Sequence, residues 1–259
     1  MNNSHMPRFQ AKLLSVLRLG DDIYELRITP PKGTGEGDVF SFSAGQYCAL
    51  GLSPRSTDMR AYSIASAPES DYLEFHIRHT GQGFSAAICD EKNIGQTLYL
   101  SQAAGDICFI DDASRDILMF AGGTGYAPMR AILQRLAAEK FTRGVDVFIG
   151  GRDLGALYMR EELCFYGERL SGLRSYFCTD VLGDNTHGVD HVQESTLVAL
   201  AAQHLKGGLA DKRIYISGPP AMVMDIRDFA LDNNACAAFV HFDEENLARF
   251  LKQTKEDKK

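Results

Sequence analysis

The hydrophobic pattern changes period part-way along the chain, and this change restricts the fold more than any other feature. From about residue 8 to 110, short alternating or apolar runs recur: Ala11–Val16, Ile23–Ile28, Tyr47–Gly51, Leu73–Ile77 and Thr97–Leu100. Turn residues separate them: Pro30-Pro31-Lys32-Gly33, Gly35-Glu36-Gly37, Pro54 and Gly81-Gln82-Gly83. Many short strands at even spacing predict a small barrel or sandwich, with one short helix at Phe84–Asp90. From about Arg115 the rhythm becomes strand, helix, strand. Strands are expected at Asp116–Ala121, Val145–Gly150, Ser175–Thr179, Arg213–Ser217 and Ala237–Phe242. Helices are expected at Pro128–Lys140, Leu157–Leu170, Gln193–His204 and Ala221–Asp232, the first with apolar residues at 129, 132, 133 and 136. This alternation predicts a parallel sheet with helices on both faces. The boundary falls near 111–115, giving expected domains of 8–111 and 112–250.

Composition narrows the function. The 259 residues are 45% hydrophobic and 24% charged, ample for a packed core. Net charge is −7, and no Lys/Arg cluster offers a duplex-binding or anionic-membrane surface, so neither nucleic acid nor membrane is an expected partner. The basic residues from Lys252 to Lys259, interrupted by Glu256 and Asp257, read as a frayed, solvated tail. No run approaches the ~20 apolar residues of a membrane span. The amino-terminal residues hold no apolar stretch of a secretory signal, so a cytoplasmic protein is expected. The six cysteines are Cys48, Cys89, Cys108, Cys164, Cys178 and Cys236, no two closer than 14 residues. Zinc sites and iron–sulfur clusters need shorter spacings, so free thiols and no cluster are expected. His76, His79, His187, His191, His204 and His241 form no metal spacing, the H-x-x-H at 76–79 reads as surface chemistry, and no metal is expected.

Four motifs carry chemistry. Ala121-Gly122-Gly123-Thr124-Gly125-Tyr126-Ala127-Pro128 follows an apolar strand and opens a helix. Glycines let backbone N–H groups approach a phosphate, the helix start adds partial positive charge, and proline suits the first turn. It is neither the usual dinucleotide fingerprint nor a P-loop, and a tight structural turn would use the same letters. Arg60-Ala61-Tyr62-Ser63-Ile64-Ala65-Ser66 reads plainly as a strand with an exposed arginine. Functionally it offers a cation for phosphate, an aromatic face and a hydroxyl; stacking of a base on an aromatic is worth ~1–3 kcal/mol. Gly81-Gln82-Gly83-Phe84-Ser85 is a second anion cradle or a hairpin turn with a helix cap. Ile214-Tyr215-Ile216-Ser217-Gly218-Pro219-Pro220-Ala221-Met222 is a strand running into a stiff turn and helix, where ligands sit in open parallel sheets.

In this order and spacing the four motifs resemble the ferredoxin–NADP reductase superfamily over roughly Ala11 to Asp243. The resemblance implies an antiparallel β-barrel that binds FAD, then an α/β parallel-sheet domain that binds NADH or NADPH. It implies that Arg60 pairs with the flavin pyrophosphate, Tyr62 stacks on the ring, and Ser63 hydrogen-bonds near the position where hydride arrives. Gly83, Phe84 and Ser85 match the segment that holds the FAD pyrophosphate by backbone and hydroxyl, and Gly45-Gln46-Tyr47 matches the strand entry before the Arg-x-Tyr-Ser motif. Gly122, Gly123, Thr124 and Gly125 would cradle the dinucleotide pyrophosphate, and Gly218, Pro219 and Met222 would line the nicotinamide side. The family usually has cysteine before Gly-Pro-Pro; here the catalytic-side residue is Ser217. The aromatic that covers the flavin in many members is matched only by Phe242, and acidic residues follow it. Family members that prefer NADP often carry Ser-Arg after the third strand. Here Thr179-Asp180 stands there; Asp180 repels a 2′-phosphate and favours NADH, while Arg152 pulls toward NADPH.

The implied activity is a flavin-dependent NAD(P)H reductase. With no cluster spacing of its own, it is expected to pass electrons to a separate acceptor: a ferredoxin-like protein, an oxygenase component or a small molecule. Three alternatives stay open: an NAD(P)H:free-flavin reductase, an electron-relay or regulatory subunit without turnover, and a redox-inert binding module. The sequence does not speak to oligomeric state.

Overall fold

A computed structural model describes residues 8–55, 58–110, 112, 114–182 and 191–256. His187, and Asp111 at the expected boundary, lie outside the described residues. The chain forms two compact units: residues up to Phe109 together with Arg130–Arg135, and Ile110–Met129 together with Leu136 onward.

The first unit is an antiparallel sheet built from β1 (Phe9–Arg18), β2 (Ile23–Ile28), β3 (Lys32–Gly33), β4 (Tyr47–Gly51), β5 (Arg60–Ser63), β6 (Leu73–Arg78) and β7 (Thr97–Leu100). Its order is β5-β4-β7-β1-β2-β6, with β3 added on β1. The two ends of that order meet through one bridge, Ile64 to Phe75, so the sheet closes as the expected barrel. The period-two pattern is visible in β1, whose Phe9, Ala11 and Leu13 are buried while Gln10, Lys12 and Leu14 are exposed. A bulge between Leu13 and Ser15 then re-aims the strand. Leu26, Ile28, Leu73, Phe75 and Ile77 join the same core. Lys32-Gly33, expected in a turn, is a two-residue strand on β1. The short helix, α1, is Gly83–Ile88.

The second unit is a parallel sheet of β8 (Asp116–Gly122), β9 (Val145–Gly151), β10 (Leu173–Thr179), β11 (Val192–Glu194), β12 (Lys212–Ser217) and β13 (Val240–His241). Its order is β11-β10-β9-β8-β12-β13. The helices are α2 (Tyr126–Ala138), α3 (Arg160–Gly167), α4 (Leu197–His204), α5 (Pro220–Asp232) and α6 (Glu244–Glu256). Leu118 and Phe120 cluster with residues of α4 and α5. Ile117 and Met119 point the other way and are equally buried, so both faces of the sheet are covered.

Three sequence expectations are corrected. Gln193 and Glu194, expected in a helix, form the edge strand β11 on β10; the helix starts after Thr196, whose hydroxyl accepts from Ala199 N. Ala237–Phe242, expected as a strand, is a 3-10 turn over Ala237–Phe239 followed by two strand residues. Lys252 is no frayed tail but lies in α6. That helix begins where the Asp243 side chain accepts from Asn246 N, carries Glu244 and Glu245 in its first turn, and buries Leu247.

Candidate functional site

In the first unit, β4 and β5 pair from Tyr47–Ser63 to Leu50–Arg60, which displays Arg60, Tyr62 and Ser63 on a barrel-edge strand. Arg60 is exposed and ion-paired with Asp58, also exposed, at 2.9 Å. A surface pair of this kind is worth ~0–1 kcal/mol and yields readily to a phosphate. Tyr62 is half-buried, and its ring stacks on Phe84 with centroids 6.2 Å apart. Burial pushes the Tyr62 phenol up to about 12, so it stays neutral. Two motifs some twenty residues apart in sequence thus share one aromatic wall. The sequence reading assigned Phe84 a backbone role; its ring contact came only with the fold.

Gly83 opens α1 at φ +67°, where a side chain would be strained, and a Cβ there would meet nothing within 4 Å. The N-cap, Gln82, makes no side-chain cap, so its side chain satisfies none of the first-turn N–H groups. Ser85 is buried, and its hydroxyl accepts from Thr80 N at 3.1 Å and shares a 2.7 Å hydrogen bond with Thr80 Oγ1. It closes the 80–85 loop on itself. An open glycine at a bare helix start, an exchangeable arginine and a half-buried aromatic fit a flavin with its pyrophosphate.

In the second unit, β8 and β12 are neighbours whose order reverses between them, and the crevice beyond their carboxyl ends is where such sheets bind ligands. Gly122–Gly125 leaves β8 and Ser217–Met222 leaves β12. The two loops cross at backbone contact: a Cβ on Gly125 would lie 2.1 Å from Ser217 O and 2.7 Å from Gly218 N. A Cβ on Gly122 would lie 2.7 Å from Met222 Sδ. Gly125, which faces backbone, is therefore required by packing, whatever it also does for a phosphate, whereas Gly122 faces side chains. Gly122 provides no side-chain cap, and no acidic residue sits in the first turn, leaving that end electropositive. Pro219 and Met222 line the same crossing; Thr124 is half-buried at the start of α2.

At the carboxyl ends of β9 and β10, Arg152 and Asp180 are both exposed. They are brought together by Asp180 N donating to Gly151 O and Val181 N to Arg152 O, each at 3.1 Å. Thr179 Oγ1, just before Asp180, is buried without a hydrogen-bond partner, an orphan that a polar ligand group at this edge would satisfy. These features fit a dinucleotide.

Family models for an oxidoreductase FAD-binding domain and an oxidoreductase NAD-binding domain match residues 10–109 and 119–228. The chain is 30% identical to "Terephthalate 1,2-dioxygenase, reductase component 2" of a Comamonas species over 237 residues, 91% of this chain and 68% of that protein. The chain belongs to the ferredoxin reductase family. It is 28% identical to the NAD(P)H-flavin reductase of Aliivibrio fischeri over 185 residues, covering 69% of this chain and 75% of that one. Its fold matches the solved ferredoxin reductase of carbazole 1,9a-dioxygenase with a TM-score of 0.76 at 22% identity, covering 91% and 68% of the two chains. Membership makes it a flavoprotein oxidoreductase that takes electrons from NAD(P)H onto FAD and passes them to an acceptor.

Phe242, His241 and His76 have well-defined places. Phe242 is partly buried against the core cluster of the second unit. His241 is held by Arg213 Nη1 at 3.0 Å and lies against the Tyr215 ring. His76, read as surface chemistry, is buried at 5% exposure and hydrogen-bonds Glu74 Oε1 at 3.1 Å. Leu73, Phe75 and Ile77 face the barrel core, and the opposite face of β6, which carries Glu74 and His76, is covered as well. No helix is long and apolar enough to cross a membrane, and among the described residues no cluster of His, Cys, Asp or Glu could hold a metal.

Proposed function

We propose that the chain is an FAD-retaining, NADH-preferring reductase component, with the flavin in a domain of residues 8–111 and the dinucleotide in a domain of residues 112–250. Its acceptor would be a separate redox protein, and the setting cytoplasmic. The observation that carries retention is the open Gly83 start of α1 beside the stacked Tyr62–Phe84 pair. When bound, the flavin accepts hydride from the nicotinamide and releases electrons singly to an acceptor.

The chain's own residues bind and orient. Arg60 exchanges Asp58 for the pyrophosphate, and the Gly83–Ser85 N–H groups meet the same anion. Tyr62 lies against the ring, and its raised pKa keeps it a neutral donor. Ser63 sets the polar edge near the hydride-accepting position. Gly122–Gly125 and the electropositive start of α2 hold the dinucleotide pyrophosphate, while Ser217, Gly218, Pro219 and Met222 bound the nicotinamide side. Asp180 accepts from a ribose hydroxyl and repels a 2′-phosphate, and Arg152 is its opponent. Relatives named as oxygenase reductase components support a protein acceptor.

The test is the visible spectrum of the purified protein under anaerobic conditions before and after NADH. A flavin spectrum that bleaches is the expected result. A second reading, a free-flavin reductase, is favoured by Ser85, whose hydroxyl is taken by Thr80. A colourless protein that reduces added flavin would establish it. A yellow protein that neither NADH nor NADPH bleaches would establish a relay or regulatory subunit.

A further inference from the structure

The seam that closes the barrel holds a buried charge cluster that the flavin chemistry does not use. Glu25 and Arg27 on β2 lie opposite His76 and Glu74 on β6, so four ionisable side chains share one face of one ladder. Glu74 is wholly buried; Arg27 Nε donates to its Oε2 and His76 Nε2 bonds its Oε1, both at 3.1 Å. Arg27 also reaches Glu25 at 2.8 Å. Arg130, in the stretch of α2 that belongs to the first unit, lies 2.9 Å from Glu74 Oε1 with its side chain 11% exposed. Burial pushes the Glu74 carboxyl up, but the His76 hydrogen bond and the Arg130 and Arg27 guanidiniums outweigh it and hold the group ionised. Burial and the Glu74 charge push neighbouring Glu25 up.

Buried ion pairs are poor sources of stability, because desolvation offsets their attraction and apolar replacements do as well. This cluster does something an apolar replacement would not. Arg130 Nη1 also donates to Ala65 O at 2.9 Å. Ala65 N donates to Glu74 O at 2.7 Å, Glu74 N to Ser66 Oγ at 3.1 Å, and Ala67 N to Gln134 Oε1 at 2.6 Å. Every one of these bonds falls on residues 65–67, directly after the strand that presents Tyr62 and Ser63. Among the described residues that strand pairs along its length with β4; beyond Ser63 it is held by Ile64 N donating to Gln46 O at 2.9 Å, by the Ile64–Phe75 bridge and by this set.

We propose that Glu74 and Arg130 are positioning residues for the flavin edge: the buried carboxylate sets the Arg130 guanidinium on the Ala65 carbonyl and so fixes where Tyr62 and Ser63 stand. The inference rests on the assignment of those two residues to the flavin. Arginine suits the task, since its planar fork can hold a carboxylate and a carbonyl together.

The experiment compares R130M, R130K and E74Q in the full chain by two readouts. The first is amide hydrogen exchange without added flavin. Exchange over residues 60–67 should accelerate at least tenfold in R130M and E74Q, while the β1 and β2 amides keep their protection. The second is anaerobic bleaching by NADH. The maximal rate should fall about tenfold or more in R130M with half-saturating NADH unchanged, as small misplacements at a reacting centre do, and R130K, which keeps the charge but not the fork, should recover only part of it. The proposal is overturned by unchanged exchange at 60–67, by faster exchange spread evenly over the barrel, or by altered exchange with a wild-type bleaching rate. If the unsubstituted protein itself fails to bleach, the reductase reading falls, while the exchange readout still decides whether the cluster holds this segment.

Discussion

Substituting Gly125→Ala tests the loop crossing at the dinucleotide site. The added Cβ would sit 2.1 Å from Ser217 O, 2.4 Å from Ser217 C and 2.7 Å from Gly218 N, where real Cβ contacts essentially never fall below 3.0 Å. All three atoms are backbone, so no rotamer change relieves the clash, and the two loops must separate by about 1 Å. Overpacking typically costs about 1–3 kcal/mol, and a rigid backbone partner puts this case at the upper end. For a unit of roughly 150 residues, about 3 kcal/mol lowers the melting temperature by about 6–12 °C. Since Ser217 and Gly218 are displaced with the loop, the rate of flavin bleaching by NADH should fall by about a hundredfold. A control in the same unit is Gly207→Ala, at φ +104° with nothing within 4 Å of its Cβ. It carries only the left-handed penalty of about 1–2 kcal/mol and should leave bleaching untouched. Thermal melts followed by circular dichroism, with stopped-flow bleaching, decide the matter. A G125A protein that melts within about 2 °C of wild type, less than 1 kcal/mol, and bleaches normally would refute the crossing.

Three further outcomes follow from the site. Arg60→Ala, losing a charge-assisted bond worth about 1.5–3 kcal/mol, should weaken FAD affinity roughly tenfold or more without changing the melting temperature of the flavin-free protein; equilibrium dialysis against FAD measures it. Asp180→Ser removes a like charge from the 2′-phosphate position and should shift the NADPH/NADH ratio of kcat/KM toward NADPH by about tenfold, roughly 1.4 kcal/mol; an unchanged ratio assigns preference elsewhere. Alkaline stability should fall in a defined window. Burial holds Tyr62 up to about 12 from 10.0 and Cys89 up to about 12 from 9.0, so the unfolded groups ionise first. Stability present below pH 9 is then lost progressively as pH rises to about 12, and Tyr62→Phe should flatten the loss between pH 10 and 12 in urea unfolding midpoints.

The change of hydrophobic period near residue 111 carried both architectures, because period two and period 3.6 are properties of the covalent chain and its two regular backbones. The motif residues were legible for a similar reason: Gly83, Gly122 and Gly125 stand where a side chain would be strained or would collide, and such positions admit few alternatives. Element ends were less legible. Gln193 and Glu194 carry helix-compatible letters but pair with β10, and the acidic run after Phe242 caps a helix that no apolar stripe announced. What only the tertiary structure decided was who meets whom. Alternation puts Glu74 and His76 on the outer face of β6; nothing in that pattern says that Arg130, more than fifty residues on, pairs with Glu74 there. The Tyr62–Phe84 stack, the loop crossing at Ser217 and the closure of the barrel at Ile64 join residues distant in sequence, and such contacts depend on packing, which local propensity does not encode.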